Sequence, residues 1–190
     1  MLVGVLSFQG DYFLHRKILS RLNVKCLYVN SIESLNKTDA LIIPGGESTV
    51  ISKFITKSKM EEEIYKYSLS KCVYGTCAGL ILMSKKCDDN KVVNLGLLDV
   101  TAYRNAWGRQ VHSFEDNIKF NFNSDTTKLS FIRAPKIKIN SNTINILGEY
   151  DNEPVLVRNT RHLGSTFHPE VSGDLSVHKY FLKMVKENAS

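Results

Sequence analysis

The stretch Cys72-Val73-Tyr74-Gly75-Thr76-Cys77-Ala78-Gly79-Leu80 decides the fold. Cys72 to Tyr74 is a short apolar run of β-prone residues. Gly75 to Gly79 is a tight turn of small residues around a cysteine, and the chain from there to about Ser84 reads as a helix. Strand, sharp turn and helix in that order make a nucleophile elbow with cysteine in the place serine often holds. Strain in such a turn points the thiol out of the sheet, and the positive end of the following helix favours the thiolate. Ligands of open α/β sheets bind beyond the carboxyl ends of the strands, which is where Cys77 falls. Taken alone, the Gly-x-Cys-x-Gly pattern also suits a buried structural cysteine in a glycine-rich turn.

Working upstream, Leu2 to Phe8, Lys25 to Val29 and Ala40 to Ile43 read as strands. Asp11 is placed to cap a helix whose apolar residues Leu14, Ile18 and Leu22 recur at helical spacing. Pro44-Gly45-Gly46 ends the third strand, and Ser48 or Thr49 is placed to cap a helix carrying Ile51, Phe54 and Ile55. Met60 to Leu69 is a further helix. Strands alternating with helices predict an α/β fold with a mostly parallel sheet.

Downstream of about residue 95 the pattern becomes extended. Phe114 to Phe122, Phe131 to Ala134, Ile144 to Tyr150, Pro154 to Arg158 and Leu163 to Phe167 read as short strands, some of them antiparallel additions to the sheet. A last helix shows the core stripe Val177, Tyr180, Phe181, Met184 and Val185. With no linker, repeat or low-complexity tract, residues 1–190 read as one domain.

Composition narrows the class. The 190 residues are 43% hydrophobic and 23% charged, which fits a globular protein and argues against global disorder. Net charge is +6, but the lysines are scattered and not interleaved with aromatics, so nucleic-acid binding gains little support. The four cysteines, Cys26, Cys72, Cys77 and Cys87, have neither a disulfide-framework nor a zinc-site spacing, and a reducing cytoplasm is the expected compartment. The first residues lack the basic and long apolar regions of a signal peptide, and no stretch is long enough to span a membrane.

His168-Pro169-Glu170 gives Cys77 its partners. Proline biases the residue before it towards extended backbone, where residues two apart share a side, so Glu170 can orient the imidazole of His168. Cysteine, histidine and an orienting acid follow the logic of triad catalysis. Attack on an amide carbonyl also needs backbone N–H donors for the oxyanion. The glycine-rich strand end at 44–49 can place one, and Ala78, just after the nucleophile, can supply another. Cys26 and Cys72 read as buried strand cysteines, and Cys87 lies in a polar loop. His15 and His178 on their helices suit solvent or packing roles, and His162 sits in a turn.

GTCAGL at 75–80 and FHPE at 167–170 resemble the triad-type (class I) glutamine amidotransferases. VLSFQGD at 5–11, IIPGGEST at 42–49, RNAWGRQVHSFE at 104–115 and FIRAP at 131–135 narrow the resemblance. They point to the glutaminase subunits of two-protein pyridoxal 5′-phosphate synthases and span nearly the whole chain. The resemblance implies a flavodoxin-like, three-layer fold, with Cys77 as nucleophile and His168 and Glu170 as its relay. It assigns glutamine binding to Gly46, Glu47, Ser48, Arg104, Ile132 and Arg133. Gln9 and Gly45 take organising positions at the partner interface, the Gly45–Gly46 peptide reorienting when the partner docks. The implied substrate is L-glutamine and the implied partner a (β/α)₈-barrel synthase subunit. No metal or organic cofactor is implied. His112 departs from the acidic residue common at its position. A triad glutaminase of another pathway, such as imidazole glycerol phosphate synthesis, and a non-catalytic binding protein on the same fold are the alternatives.

Overall fold

Two of the first four strands are apolar along their whole length and a third but for its final Thr76, as suits strands covered on both faces. The computed structural model describes residues 1–104, 106 and 113–189. In chain order the elements are β1 (Leu2–Leu6), α1 (Tyr12–Arg21), β2 (Lys25–Val29), α2 (Ile32–Asn36), β3 (Ala40–Ile43), α3 (Ser48–Lys57), α4 (Met60–Ser68), β4 (Cys72–Thr76) and α5 (Ala78–Met83). There follow β5 (Ser84–Cys87), β6 (Leu98–Tyr103), β7 (Ser113–Lys119), β8 (Thr126–Ile132), β9 (Lys136–Ile139), β10 (Asn145–Tyr150), β11 (Glu153–Arg158), β12 (Leu163–Ser165), α6 (Pro169–Ser172) and α7 (Ser176–Asn188).

The main sheet has seven strands in the order β10-β11-β12-β4-β3-β1-β2. From β2 to β12 the neighbours are parallel, while β11 and β10 add an antiparallel edge. The parallel part follows the 2-1-3-4-5 order of flavodoxin-like folds, with β12 as the fifth strand. Side chains alternate between two cores. Leu41 and Ile43 of β3 join one core, and Ala40 and Ile42 join the other. The first core includes Ile51 and Ile55 of α3, Met60 and Ile64 of α4, and Leu80 and Leu82 of α5. The second includes Leu19 of α1 and Val177, Phe181 and Met184 of α7. Helices therefore cover both faces, giving three layers. Each large apolar side chain buried this way stabilises by about 1.5–3 kcal/mol. No described helix is long and apolar enough to cross a membrane.

The later extended segments divide. The antiparallel additions expected for Ile144 to Tyr150 and Pro154 to Arg158 are present as β10 and β11. The segments from Phe114 and up to Ala134 pair instead with each other, as the β7–β8 ladder from Ser113↔Ile132 to Lys119↔Thr126. A third sheet, β5-β6-β9, was not anticipated, and neither was α2, which Ser31 and Ser34 close with a reciprocal capping box. One proposed cap is corrected: Glu47, not Ser48 or Thr49, holds the N-cap position of α3. Asp11 holds that of α1 as expected, but its side chain makes no capping bond.

Gly79 shows how tightly the elbow is built. A Cβ placed there would lie 2.0 Å from the carbonyl oxygen of Ile43, so the first turn of α5 presses on the end of β3. In an open helix, glycine to alanine gains about 0.5–1 kcal/mol. Here the obstacle is backbone, which yields little, and overpacking of about 1–3 kcal/mol wins. Gly79→Ala is therefore expected to lower the urea midpoint. A midpoint equal to or above that of the unsubstituted chain would contradict this packing.

Candidate active site

Four adjacent parallel strands send their carboxyl-end loops to one place. β1 leads to Gln9, Gly10 and Asp11, β3 to the loop 44–47, β4 to Cys77 and β12 to His168. Cys77 has φ 47° and ψ −101°, a sparsely populated conformation for a side-chain-bearing residue and the strain expected of the elbow. Its N–H donates to Ser165 O at 2.8 Å, which ties the elbow to β12. Its thiol, 6% exposed as a residue, points to Ile132 O at 3.8 Å.

The His168 N–H donates to Ser130 O at 2.9 Å, and its backbone (φ −114°, ψ 85°) stays out of the helical region, as the following proline favours. Glu170, however, lies in the first turn of α6. The two side chains therefore meet across a strand-to-helix corner and not along an extended strand, with His168 Nδ1 at 2.7 Å from Glu170 Oε1. That contact leaves Nε2 as the nitrogen for the thiol. Burial works to lower the pKa of His168. Hydrogen bonds and charge interactions with Cys77 and Glu170 outweigh it and hold the imidazole well above its usual value of 6.5.

The glycine loop is shaped around this ring. A Cβ on Gly45 would fall 2.3 Å from His168 Cε1, so the ring lies against bare backbone. Gly45 O accepts the Asp11 N–H at 3.1 Å, and Gln9 Oε1 accepts the Glu47 N–H at 2.8 Å. Gln9 and Gly45 thus hold the loop without lining the cleft it borders.

That cleft has a volume of about 260 Å³. Drug-sized ligands take about 300–1,000 Å³, so the space suits a molecule of amino-acid size. Cys77, Ala78 and His168 line it together with the loop residues Gly46, Glu47 and Ser48. Arg104, Ile132 and Arg133 close the other side. Arg104 is no free surface charge: its guanidinium reaches Glu47 Oε1 at 2.9 Å and also pairs with Asp89. Arg133 holds the left-handed φ of 46° directly after β8. As the first residue of α5, Ala78 has an N–H with no partner inside the helix. The cleft therefore combines a thiol, an imidazole, backbone donors and both signs of charge, the requirements of acyl transfer from a zwitterionic substrate. Most of the block at 104–115, His112 included, lies outside the described residues.

Sequence reasoning missed Asp11, which lines the cleft and brings Oδ2 to 3.8 Å from His168 Nδ1. The donor atoms of Asp11, His168 and Glu170 lie within 4.8 Å of one another. A cation held there would compete with the His168–Glu170 bond. Of the solvent and packing roles left open for two histidines, the structure selects packing. His15 and His178 have no solvent exposure, and their rings join through His15 Nδ1 and His178 Nε2 at 2.9 Å. The buried face of α1 is His15, Ile18 and Leu19, one residue round from the expected stripe, which turns His15 inward. The remaining cysteines sit apart, and burial raises the pKa of Cys26, Cys72 and Cys87, keeping them as thiols. Cys26 is only partly buried, unlike Cys72.

A cysteine, histidine and glutamate gathered on the carboxyl edge of a flavodoxin-like sheet is the arrangement of class I glutamine amidotransferases. Residues 5–187 match the model of the SNO glutamine amidotransferase family, and the chain belongs to that family. It is 44% identical over 188 residues to the pyridoxal 5′-phosphate synthase subunit PdxT of Thermotoga neapolitana, covering 98% of this chain and 100% of that one. Against the protein of the same name from Thermoplasma volcanium it is 44% identical over 190 residues, covering 97% and 94%. A solved structure described as a glutamine amidotransferase superposes with a TM-score of 0.91 at 38% identity, over 97% of this chain and 98% of that one.

The raised pKa of His168 has a consequence for stability. The folded chain holds a proton there that the unfolded chain releases near pH 6.5, so the contribution is complete below about 6.5 and is lost as pH rises through the folded value. The difference in unfolding free energy between the unsubstituted chain and His168→Gln, from urea titrations at a series of pH values, should shrink as pH rises above about 6.5. A difference that grows over that range would rule out the charged imidazole.

Proposed function

We propose that this chain hydrolyses L-glutamine to L-glutamate and ammonia, and that the ammonia serves a pyridoxal 5′-phosphate synthase. The observation that carries the reading is that Cys77 and His168 line one small cleft, with Glu170 behind the imidazole at 2.7 Å. The family and the full-length relatives named above support the substrate and the pathway.

In the proposed reaction the Cys77 thiolate attacks the side-chain amide carbon of glutamine. The N–H groups of Gly46 and Ala78 hold the oxyanion of the tetrahedral intermediate. Protonated His168 gives its proton to the departing nitrogen, which leaves as ammonia, and a thioester remains. His168 then takes a proton from water as the water attacks the thioester. The sulfur leaves as thiolate and glutamate is released. Glu170 keeps His168 aligned throughout.

Glu47, Ser48, Arg104, Ile132 and Arg133 hold the substrate. Their mixed charges suit the α-ammonium and α-carboxylate of an amino acid. Gln9 and Gly45 set the shape of the loop that carries Gly46.

Free ammonia in neutral water is mostly ammonium, which is not a nucleophile, so direct transfer to a docked partner is favoured. The proposed partner is a (β/α)₈-barrel synthase subunit, and the proposed setting is the cytoplasm, with residues 1–190 acting as one domain. Release of glutamate by the purified chain, with and without that synthase, tests the reading. Cys77→Ala should lower turnover at least about a thousandfold with unchanged circular dichroism. Substantial turnover in that variant would remove Cys77 as the nucleophile.

A further inference from the structure

Behind Glu170 lies a second layer of imidazoles that the proposed reaction does not use. His15 on α1 and His178 on α7 are both fully buried. His15 Nε2 stands 3.6 Å from Glu170 Oε1, the oxygen that also meets His168 Nδ1, and 3.3 Å from Thr76 Oγ1. On its other side, His15 Nδ1 meets His178 Nε2 at 2.9 Å. Among the described residues, His178 Nδ1 and Glu170 Oε2 have no hydrogen-bond partner.

These contacts determine where the protons sit. One proton lies between His15 Nδ1 and His178 Nε2, and there are two ways to place it. If His15 owned it, neutral His15 would turn a bare lone pair from Nε2 towards a carboxylate oxygen, and neutral His178 would bury an unpaired N–H donor at Nδ1. Both are unfavourable. If His178 owns it, His15 carries its proton on Nε2, aimed at Glu170 and Thr76, and the unpaired atom of His178 is a bare acceptor. The second placement removes the lone-pair repulsion at Glu170, while the unpaired atom of His178 is buried either way.

We propose that His15 is a positioning residue: neutral and protonated on Nε2, it presents an N–H to Glu170 and fixes the carboxylate that orients His168, while His178 locks its tautomer. Burial above all holds the pKa of His15 well below 6.5. Burial brings that of His178 to about 3, so neither ring adds charge to the site at neutral pH. The role rests on the reading of Cys77, His168 and Glu170 as the catalytic set. It differs from core packing in one respect: an apolar side chain of similar bulk fills the space but offers no donor.

The test has two arms on the full chain. Ring-nitrogen NMR at neutral pH should show His15 and His178 neutral, each with its proton on Nε2. A charged His15, or one protonated on Nδ1, would overturn the assignment. Glutamate release beside the synthase should then show His15→Leu with kcat lowered about tenfold or more and KM within about twofold, because orientation acts after binding. His15→Gln, whose amide can donate to the same carboxylate, should recover most of the lost kcat. Wild-type kcat in His15→Leu, or His15→Gln folding normally yet no better than His15→Leu, would overturn the role. Should His15→Leu fail to fold, the ring spectra and the turnover of His15→Gln still decide, a loss of tenfold or more in the latter counting against it. If the unsubstituted chain releases no glutamate, or Cys77→Ala releases it freely, the glutaminase reading itself fails. The NMR arm separates that case, since it needs no turnover.

Discussion

Glu170 places an acidic side chain where water does not reach. A charge taken out of water must be met by donors, and much of the molecule is arranged to meet this one. His168 Nδ1 approaches from the corner after β12 and His15 Nε2 from α1. His15 is in turn bonded to Thr76 at the end of β4 and to His178 on α7. Helices on one face of the sheet and strands at its centre thus converge on a single carboxylate. The catalytic geometry proposed for this chain is inseparable from the packing of the α1–α7 layer.

Close backbone approach is the second condition. Gly79 lets α5 press against the carbonyl of Ile43, and Gly45 lets the ring of His168 pack against the loop after β3. These contacts bring β3, β4 and β12 to one point with no intervening side chains. The result is a cleft sized for an amino acid at the carboxyl edge of the sheet, with Arg104 and Glu47 paired at its rim.

The parallel half of the fold and the cysteine–histidine–glutamate set were legible in the sequence because their signals are local. Apolar runs end at glycines, the elbow is contiguous, and His168 and Glu170 are two residues apart. What was not legible depended on contacts between distant residues. The pairing of β7 with β8, and of β5 with β6 and β9, is a choice among extended segments of similar composition. The inward turn of His15 depends on which face of α1 the sheet covers, and a shift of one residue in the stripe decides between the solvent and packing roles left open for it. Asp11 looked like a helix cap because aspartate before an apolar helix usually is one. Here its side chain makes no capping bond and stands beside His168 instead.

The position of β12 has a further meaning for a chain made from its N-terminus. β12 does not extend the parallel sheet at a free edge left by earlier strands alone: it lies between β4 and the antiparallel pair β10–β11, and it delivers His168 some ninety residues after Cys77. On the ribosome, the elbow and the glycine loop emerge long before the imidazole that completes the set. A nascent or truncated chain therefore carries the thiol without the imidazole proposed as its proton carrier, and the proposed chemistry can begin only when the last fifth of the polypeptide has joined the sheet.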